Sequence, residues 1–406
     1  MRKQFGLLWV PIKLIALSFI VSIAFIACEK EEPVDACNPS GVQGALVEAK
    51  LVITITPELV QAYLTQFGAP IGFDLEYTVD AYSVQYKTLD KNNEITPASG
   101  VMFIPRGLNT YDVVSVQHGT SLKRDEVGSK NPVYAFDALL YAMKGFLAVA
   151  PDYLGLGNSD MMHPYLNAQL SANAVMDLIR ATRKYACTND LALSEKLFLA
   201  GYSEGGYVTM AAHQIMETDH SDEFQLTGVA PMSGPYDLIS TTRNLLQLET
   251  FNSPALLAFV VAAYDDVYEW NRLDDIFMEP YASMIPGMFD GSQSVGDVND
   301  QLPTDLDSLF QSEFRTAFLQ GEEQAIAAAL QENTLLGWGP IAPVRLFHGT
   351  SDDIVAYENT TTAYASMLAN GGLSVDLIPL LGATHATGFF PSLLLSEAWF
   401  DSLRAD

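Results

Sequence analysis

The sequence predicts an α/β fold in which a mostly parallel sheet of about eight strands is wrapped by helices and interrupted by one helical insertion. From about residue 80 onward, short apolar runs alternate with longer helix-like stretches, which is typical of a parallel sheet covered by helices. Several of these runs are almost continuously apolar, as expected of strands buried on both faces. The alternation stops between about residues 239 and 340, and this break indicates the insertion.

The predicted strands are short apolar runs that follow one another at intervals suited to a single domain, although 406 residues would allow two or three. Two of the intervening stretches, residues 168–183 and 207–216, have helical character. The eight predicted strands are residues 82–87, 100–104, 113–116, 146–150, 197–200, 226–230, 344–347 and 375–380.

Residues 239–340 are predicted to form a helical cap, or lid, inserted into a core made of residues 46–238 and 341–406. Within the insertion, residues 255–264 are apolar on all sides, which excludes a helix with one solvent-facing side. An insertion at this point predicts a cap over a pocket, and the alternative is a helical appendage without a role at the site. The predicted helices of the insertion are residues 254–270, 303–320 and 322–336.

Residues 290–300 of the insertion are rich in Gly, Ser and Asp and predict a mobile loop. The stretch loosely resembles a calcium-binding loop, but it lacks the central glycine spacing that such loops require. We therefore expect no metal site.

Residues 1–27 have the features of a secretory signal. Three basic residues and no acidic residue precede Glu29, and residues 14–27 form a largely apolar run of fourteen. At about 1.5 Å per residue, such a run is too short to cross a hydrocarbon core of about 30 Å. The segment therefore predicts a cleaved signal peptide rather than a transmembrane helix.

The apolar run ends at Ala27 and Cys28, which resembles a bacterial lipobox, where the cysteine is lipidated and becomes the first residue. The charged residues 29–32 resemble the tag that takes some Gram-negative lipoproteins to the outer face of the outer membrane. We therefore expect lipidation at Cys28, a tether over residues 28–45, and an outer-membrane lipoprotein that faces the periplasm or the cell surface. The alternative is an ordinary signal peptide with an incidental cysteine.

The composition excludes several classes of protein. With 49% apolar and 17% charged residues, the chain is too apolar to be disordered. Removal of residues 1–27 leaves 18 basic against 49 acidic residues, a net charge of −31. Such a polyanion is repelled by phosphate backbones and anionic lipids. We therefore expect no nucleic-acid partner, and membrane contact only through the lipid anchor.

If Cys28 is acylated, two of the three cysteines, Cys37 and Cys187, remain. In an oxidising compartment they could pair and join the tether to the main domain. The sequence gives no distance between them, so a disulfide and two free thiols both stay open.

The strongest chemical signal is Gly201-Tyr202-Ser203-Glu204-Gly205, which follows an apolar strand and precedes a helix. In a Gly-x-Ser-x-Gly turn the serine lies on a strained strand-to-helix corner, and larger side chains at the glycines would collide with neighbouring backbone. The corner exposes the hydroxyl and directs the helix N-terminus at a developing oxyanion. This context favours a nucleophilic Ser203 over a structural turn.

A serine nucleophile needs a base, and the base needs an orienting carboxylate. In a fold with this turn the expected chain order is Ser, acid, His. Asp352 follows a strand after the insertion and is the predicted acid, with Asp353 and Asp237 as rivals. His385 is the predicted base, since it lies beyond the last strand and is the only histidine after Asp352.

The oxyanion hole is predicted to consist of backbone N–H groups from Gly119 or Thr120 together with that of Glu204. His118-Gly119-Thr120 follows the strand at residues 113–116, where this fold places its first oxyanion loop. His118 and His348 both precede a glycine at a strand end, so each is expected to hold its turn by backbone hydrogen bonds.

These motifs resemble the α/β-hydrolase superfamily and, within it, the secretory lipase group that includes fungal lipases with large helical caps. The resemblance covers residues 82–403 and implies hydrolysis of carboxylic esters through a serine acyl-enzyme, without a cofactor. The glutamate after the nucleophile, Glu204, departs from the pattern, and its side chain could either tune the preference for leaving group or chain length or be solvated. The motifs are Pro151-Asp152-Tyr153-x-Gly155, Gly201-Tyr202-Ser203-x-Gly205-Gly206, His348-Gly349-x-x-Asp352-x-x-Val355 and Gly382-x-x-His385.

The sequence thus predicts a monomeric esterase or lipase acting on a small-molecule or lipid ester. A serine peptidase of the prolyl-oligopeptidase type shares the His-Gly-x-x-Asp-x-x-Val pattern, but the region before residue 82 is too short for the propeller of those peptidases. A non-catalytic surface protein on a hydrolase scaffold is a third possibility. Such proteins usually lose a triad residue, and here all three are present.

Overall fold

The computed structural model describes residues 43–66 and 75–405. Within these residues nine strands form one sheet in the order β1-β2-β3-β5-β4-β6-β7-β8-β9. The pairs from β1 to β3 and the pair of β3 with β5 are antiparallel, and all later pairs are parallel. The strands are β1 (Leu46–Ile55), β2 (Val79–Leu89), β3 (Ile95–Pro105), β4 (Tyr111–Gln117), β5 (Leu147–Pro151), β6 (Leu193–Tyr202), β7 (Gly228–Met232), β8 (Val344–Gly349) and β9 (Val375–Leu380).

The helices cover both faces of the sheet and fill the connection between β7 and β8. They are α1 (Pro57–Gln66), α2 (Phe136–Met143), α3 (Ala168–Thr188), α4 (Glu204–Asp219), α5 (Leu238–Leu246), α6 (Pro254–Val267), α7 (Leu273–Ile276), α8 (Tyr281–Met288), α9 (Val295–Asn299), α10 (Leu306–Leu309), α11 (Ser312–Gln320), α12 (Gln324–Glu332), α13 (Tyr357–Ala369) and α14 (His385–Ala405), with a short 3₁₀ helix at Pro132–Ala135.

The central strands are buried on both faces because successive side chains enter two separate apolar layers. In β4, Val113 packs in the layer that contains α3 and α4, whereas Val114 packs in the layer that contains α2 and α14. Every residue of β5 and β7 is buried. The almost continuous apolar runs in the sequence are therefore what a doubly covered sheet requires, and the predicted α/β-hydrolase fold is confirmed.

The prediction of eight strands is short by one. The missed strand is β1, which lies before residue 80, where no strand was predicted. This strand lies at the sheet edge, and Ile55 is its only buried residue. Its sequence is largely apolar, but Val47, Leu51 and Val52 are exposed, so the apolar run here does not mark a strand covered on both faces.

Eight helices, α5 to α12, lie between β7 and β8. Helix α6 is buried on most of its surface, as its uniformly apolar sequence predicted. The single helix predicted over residues 303–320 is wrong: α10 and α11 are separated at Phe310 and Gln311. Phe310 forms an antiparallel bridge with Phe277, and Gln311 donates its N–H to Ile276 O at 2.9 Å. These contacts replace the helical hydrogen bonds at the break.

The signal peptide, the lipidation site Cys28, the tether and Cys37 lie outside the described residues. They stay predictions, which mass spectrometry of the mature N-terminus would test. Cys187, in the last turn of α3, is disulfide-bonded, while its pairing with Cys37 also stays a prediction. Among the described residues, no helix is long and apolar enough to cross a membrane.

Glu397 on α14 gives the fold a pH dependence. Burial, together with the hydrogen bond and like charge of Asp401, raises the pKa of Glu397 to about 8. Between its ordinary pKa and pH 8, the native protein therefore keeps a proton that the unfolded chain has released. Linkage then requires that this residue's contribution to stability decrease as the pH rises through that range.

We expect Glu397→Gln, which stays neutral at every pH, to raise the free energy of unfolding at pH 8 by about 1–3 kcal/mol. At pH 4 the variant and the wild type should be equally stable, since both side chains are then neutral. Urea unfolding at the two pH values measures this difference. Equal stability of the two proteins at pH 8 would contradict the assignment.

Candidate active site

Ser203 lies at the corner between β6 and α4, with φ 62° and ψ −123°. This is a conformation that residues with a side chain rarely adopt, and it is typical of strained functional positions. A Cβ atom on Gly205 would lie 1.9 Å from Gln117 O, and one on Gly201 would lie 2.3 Å from Gly205 O. The glycines are therefore required by the close approach of β4 and of the helix start, as the motif predicted.

The structure brings Ser203, Asp352 and His385 together, although they are far apart in the chain. His385 Nε2 lies 2.9 Å from Ser203 Oγ, and His385 Nδ1 lies 2.7 Å from Asp352 Oδ2. Asp352 is supplied by the loop after β8, and His385 by the start of α14, just beyond β9. Tyr202 fixes the histidine backbone by donating its hydroxyl to His385 O at 2.7 Å.

The Asp352 carboxylate is fully buried and surrounded by donors. Oδ1 accepts the N–H groups of Ile354 at 3.0 Å and Val355 at 2.8 Å. Oδ2 also lies 3.1 Å from His348 Nε2, in addition to His385. Burial alone would raise the pKa of Asp352, but the hydrogen bonds from His348 and His385 outweigh it and hold that pKa well below its ordinary value. The group is therefore an anion suited to orient an imidazole.

His348 has a larger part in the site than the sequence indicated. Its Nε2 lies 2.9 Å from Val355 O as well as near Asp352, and its Nδ1 contacts Thr360 Oγ1. The backbone contact matches the expected turn-holding role, but the contact with Asp352 was missed. The spacing of four residues between His348 and Asp352 in the His-Gly-x-x-Asp pattern was the available signal.

The two alternative acids, Asp237 and Asp353, make contacts other than with the His385 ring. Asp237 caps α5, where its side chain accepts the N–H of Ser240 at 3.0 Å. Asp353 is exposed, and its Oδ1 lies 3.3 Å from the backbone N of His385. Neither carboxylate has a contact with the His385 ring among the described hydrogen bonds and ion pairs.

The predicted oxyanion loop lies beside Ser203. A Cβ atom placed on Gly119 would be 3.9 Å from Ser203 Cβ, and Thr120 Oγ1 lies 3.1 Å from Tyr165 Oη. His118 Nδ1 is 2.7 Å from Gly119 O. In a trans peptide the C=O and the next N–H point in opposite directions, so this contact also sets the direction of the Thr120 N–H. Glu204 directly follows Ser203 as the first residue of α4.

An apolar pocket opens next to Ser203, between the sheet and the inserted helices. The loop before α3 and the helices α5 and α6 provide most of its walls, and Ile354 and Val355 close the side near Asp352. Its lining includes Tyr165, Leu166, Leu238, Leu245, Leu257 and Val260. The lining of a second, more open cleft includes His118, Gly119 and Thr120 of the predicted oxyanion loop, together with Phe389. Ser203 lines the first of these cavities, and the predicted oxyanion loop lines the second.

Asp152, from the Pro151-Asp152-Tyr153 motif, is buried beneath this region. Its carboxylate accepts Ser99 Oγ at 2.6 Å and the N–H of Ser129 at 3.1 Å, and burial raises its pKa. In the described part of the chain, no group of three or more His, Cys, Asp or Glu side chains is arranged to hold a metal ion.

Comparison with known structures gives several similar folds. The rice cell wall degrading esterase LipA from Xanthomonas oryzae is 29% identical, with a TM-score of 0.79 over 90% of this chain and 98% of that chain. A putative hydrolase from Legionella pneumophila is 26% identical, with a TM-score of 0.82 over 88% and 98%. Candida antarctica lipase A in its closed state is 18% identical, with a TM-score of 0.67 over 90% and 85%, and shows the fold alone.

A search of curated protein sequences gives no match. The family model for secretory lipases matches residues 134–402, which is more than half of the chain and includes Ser203, Asp352 and His385. The resemblance noted from the motifs is therefore confirmed. This chain belongs to the secretory lipase family and is a carboxylic ester hydrolase.

Proposed function

We propose that the protein hydrolyses esters through a Ser203-His385-Asp352 triad and a covalent acyl-enzyme. The observation that supports this most strongly is the pair of hydrogen bonds made by His385, whose Nε2 accepts from Ser203 Oγ at 2.9 Å and whose Nδ1 donates to Asp352 Oδ2 at 2.7 Å. Both lie within the range required between a nucleophile, its base and the group that orients the base.

In this mechanism His385 Nε2 takes the proton of Ser203 as Oγ forms a bond to the ester carbonyl carbon. His385 then gives the proton to the departing alcohol oxygen as the C–O bond breaks, which leaves the acyl group on Ser203. Water attacks the acyl-enzyme by the same route in reverse, releases the acid and restores the serine. Asp352 accepts the Nδ1 hydrogen and stabilises the imidazolium formed in each step.

The negative charge that develops on the carbonyl oxygen would be met by N–H groups of the oxyanion loop and of Glu204. The position of Gly119 against Ser203 and the placement of Glu204 at the start of α4 support this assignment. Both donors belong to the backbone and keep their direction during the reaction, so the site does not have to reorganise as charge builds up.

The apolar pocket beside Ser203 is proposed to hold the acyl chain, because most of its lining residues are apolar. The more open cleft at His118 and Phe389 would then receive the alcohol. Val260 on α6 lies on the pocket wall and is only partly buried, so a larger side chain can be placed there without removing core packing.

We expect Val260→Trp to shorten the preferred acyl chain. The ratio of kcat/KM for p-nitrophenyl octanoate to that for the acetate should fall about tenfold or more, since a filled pocket excludes several methylene groups worth about 0.8 kcal/mol each. Met284→Trp, an exposed position on α8, is the control and should leave the ratio unchanged. An unaltered ratio in Val260→Trp would place the acyl chain elsewhere, with the cleft at Phe389 as the next candidate.

A further inference from the structure

The side chain of Glu204 has an arrangement that the triad does not explain. Its Oε1 lies 2.7 Å from His163 Nε2, and the two side chains are 0% and 3% exposed, respectively. Burying a carboxyl and an imidazole beside a nucleophile is costly unless the two groups are paired and hydrogen-bonded. The backbone N–H of this same residue is one of the proposed oxyanion donors.

His163 is in turn held from several sides. Its Nδ1 lies 2.7 Å from Leu154 O, so this nitrogen carries a hydrogen. Its ring is stacked on that of Tyr153, with centroids 5.7 Å apart and planes 10° apart, and it also packs on Phe259 of α6. These contacts fix the position of the His163 ring independently of its contact with Glu204.

Tyr153 links His163 to His118, which lies next to the Gly119-Thr120 half of the proposed oxyanion hole. Its ring stacks on His118, with centroids 4.2 Å apart, and its hydroxyl donates to His118 O at 3.0 Å. Tyr153 is fully buried and has φ 70°, which is a strained value for a bulky residue. His118 is the residue that orients the peptide between Gly119 and Thr120.

We propose that Glu204, His163 and Tyr153 form a buried brace that fixes the two halves of the oxyanion hole relative to each other. The Glu204 side chain, His163 and Tyr153 are thus positioning residues, which act on the reaction through the N–H donors and do not touch the substrate. This proposal rests on the proposed function, since it assumes that hydrolysis proceeds at Ser203.

The physical reason lies in the geometry of charge stabilisation. An oxyanion hole acts only if its donors already point at the position that the oxygen occupies in the transition state. One donor lies on α4 and the other on the loop after β4, so relative movement of these elements would misalign them. A chain of buried contacts between the two elements limits that movement, and it should matter more for the transition state than for substrate binding.

The test measures kcat, KM and the affinity for an alkyl boronic acid, which forms a tetrahedral adduct with an active-site serine. We expect Glu204→Leu to lower kcat about 30-fold and to weaken boronic acid binding by a similar factor, part of the loss expected for a whole donor. KM should change less than about threefold, because the carbonyl oxygen of the bound substrate interacts only weakly with the oxyanion hole before the reaction. Glu204→Gln keeps a hydrogen-bonding group against His163 and should recover most of the loss.

Tyr153→Phe removes only the hydroxyl contact with His118 and tests the brace if Glu204→Leu does not fold. We expect a fall in kcat of about fivefold. The double variant Tyr153→Phe/Glu204→Leu should lose less than the product of the two single losses, because both changes act on one structure.

Helix α4 also provides a matched control, since His213 Nε2 and Glu217 Oε1 form a second pair 2.9 Å apart near its other end. Glu217→Leu should lower the melting temperature but leave kcat and boronic acid affinity within about twofold, since this pair lies outside the hole.

Three results would overturn the brace: wild-type kcat in Glu204→Leu, an equal loss in Glu204→Gln and Glu204→Leu, or full multiplicativity in the double variant. Ser203→Ala separates this failure from a failure of the proposed function. If that variant is inactive while Glu204→Leu and Tyr153→Phe are both normal, the brace alone is wrong. If it remains active, the nucleophile itself is wrong.

Discussion

Ser203→Ala is expected to lower kcat/KM for p-nitrophenyl butyrate by about 10⁶-fold, the scale on which a serine hydrolase loses its nucleophile. Without Ser203 Oγ, His385 has no hydroxyl to deprotonate and no oxygen attacks the ester. The acyl-enzyme therefore cannot form. Steady-state kinetics on the purified variant measures the loss. The residual rate should not show a burst, because no covalent intermediate accumulates.

The control for this variant is its fold. Among the described residues the Ser203 side chain makes one hydrogen bond, with His385, and the strained backbone at the corner is held by β6 and α4 around it. The melting temperature should therefore stay close to that of the wild type. A well-folded Ser203→Ala protein that hydrolyses the ester at a comparable rate would show that another residue is the nucleophile.

Asp352→Asn is expected to lower kcat by about 10⁴-fold while the protein stays folded. The N–H groups of Ile354 and Val355 both point at Oδ1, so the Asn oxygen must occupy that position. Its amide NH₂ then faces His385 Nδ1 and forces the imidazole proton onto Nε2, opposite Ser203. In that tautomer His385 cannot accept the serine proton.

Asp353→Asn is the matched comparison, because this neighbouring carboxylate is exposed and contacts only the backbone of His385 among the described hydrogen bonds. We expect its kcat to stay within about threefold of the wild type. If Asp353→Asn were as damaging as Asp352→Asn, the general negative charge near the histidine, and not the orienting hydrogen bond, would be what matters.

The core of the fold and the meeting of Ser203, Asp352 and His385 could be predicted because each leaves a local pattern. Buried parallel strands are continuous apolar runs, and the corner at Ser203 needs glycines at fixed positions on either side. Asp352 and His385 follow from the order of the strands, since the carboxyl ends of parallel strands meet at one edge of the sheet.

The features that were missed depend on contacts between distant segments. The edge strand β1 is largely exposed although its sequence is apolar, and it lies before the region in which strands and helices alternate regularly. The Glu204–His163 contact joins residues 41 positions apart, and neither residue type predicts such a partner by itself. The break between α10 and α11 comes from pairing of Phe310 with Phe277, which a helical pattern cannot show.

The most direct test of the account is to treat the folded, active protein with a fluorophosphonate and to locate the adduct by peptide mass spectrometry. We predict one phosphonylated residue, Ser203, with modification in step with the loss of esterase activity and no labelling of Ser203→Ala. Labelling at another residue, or full inactivation without an adduct on Ser203, would contradict it.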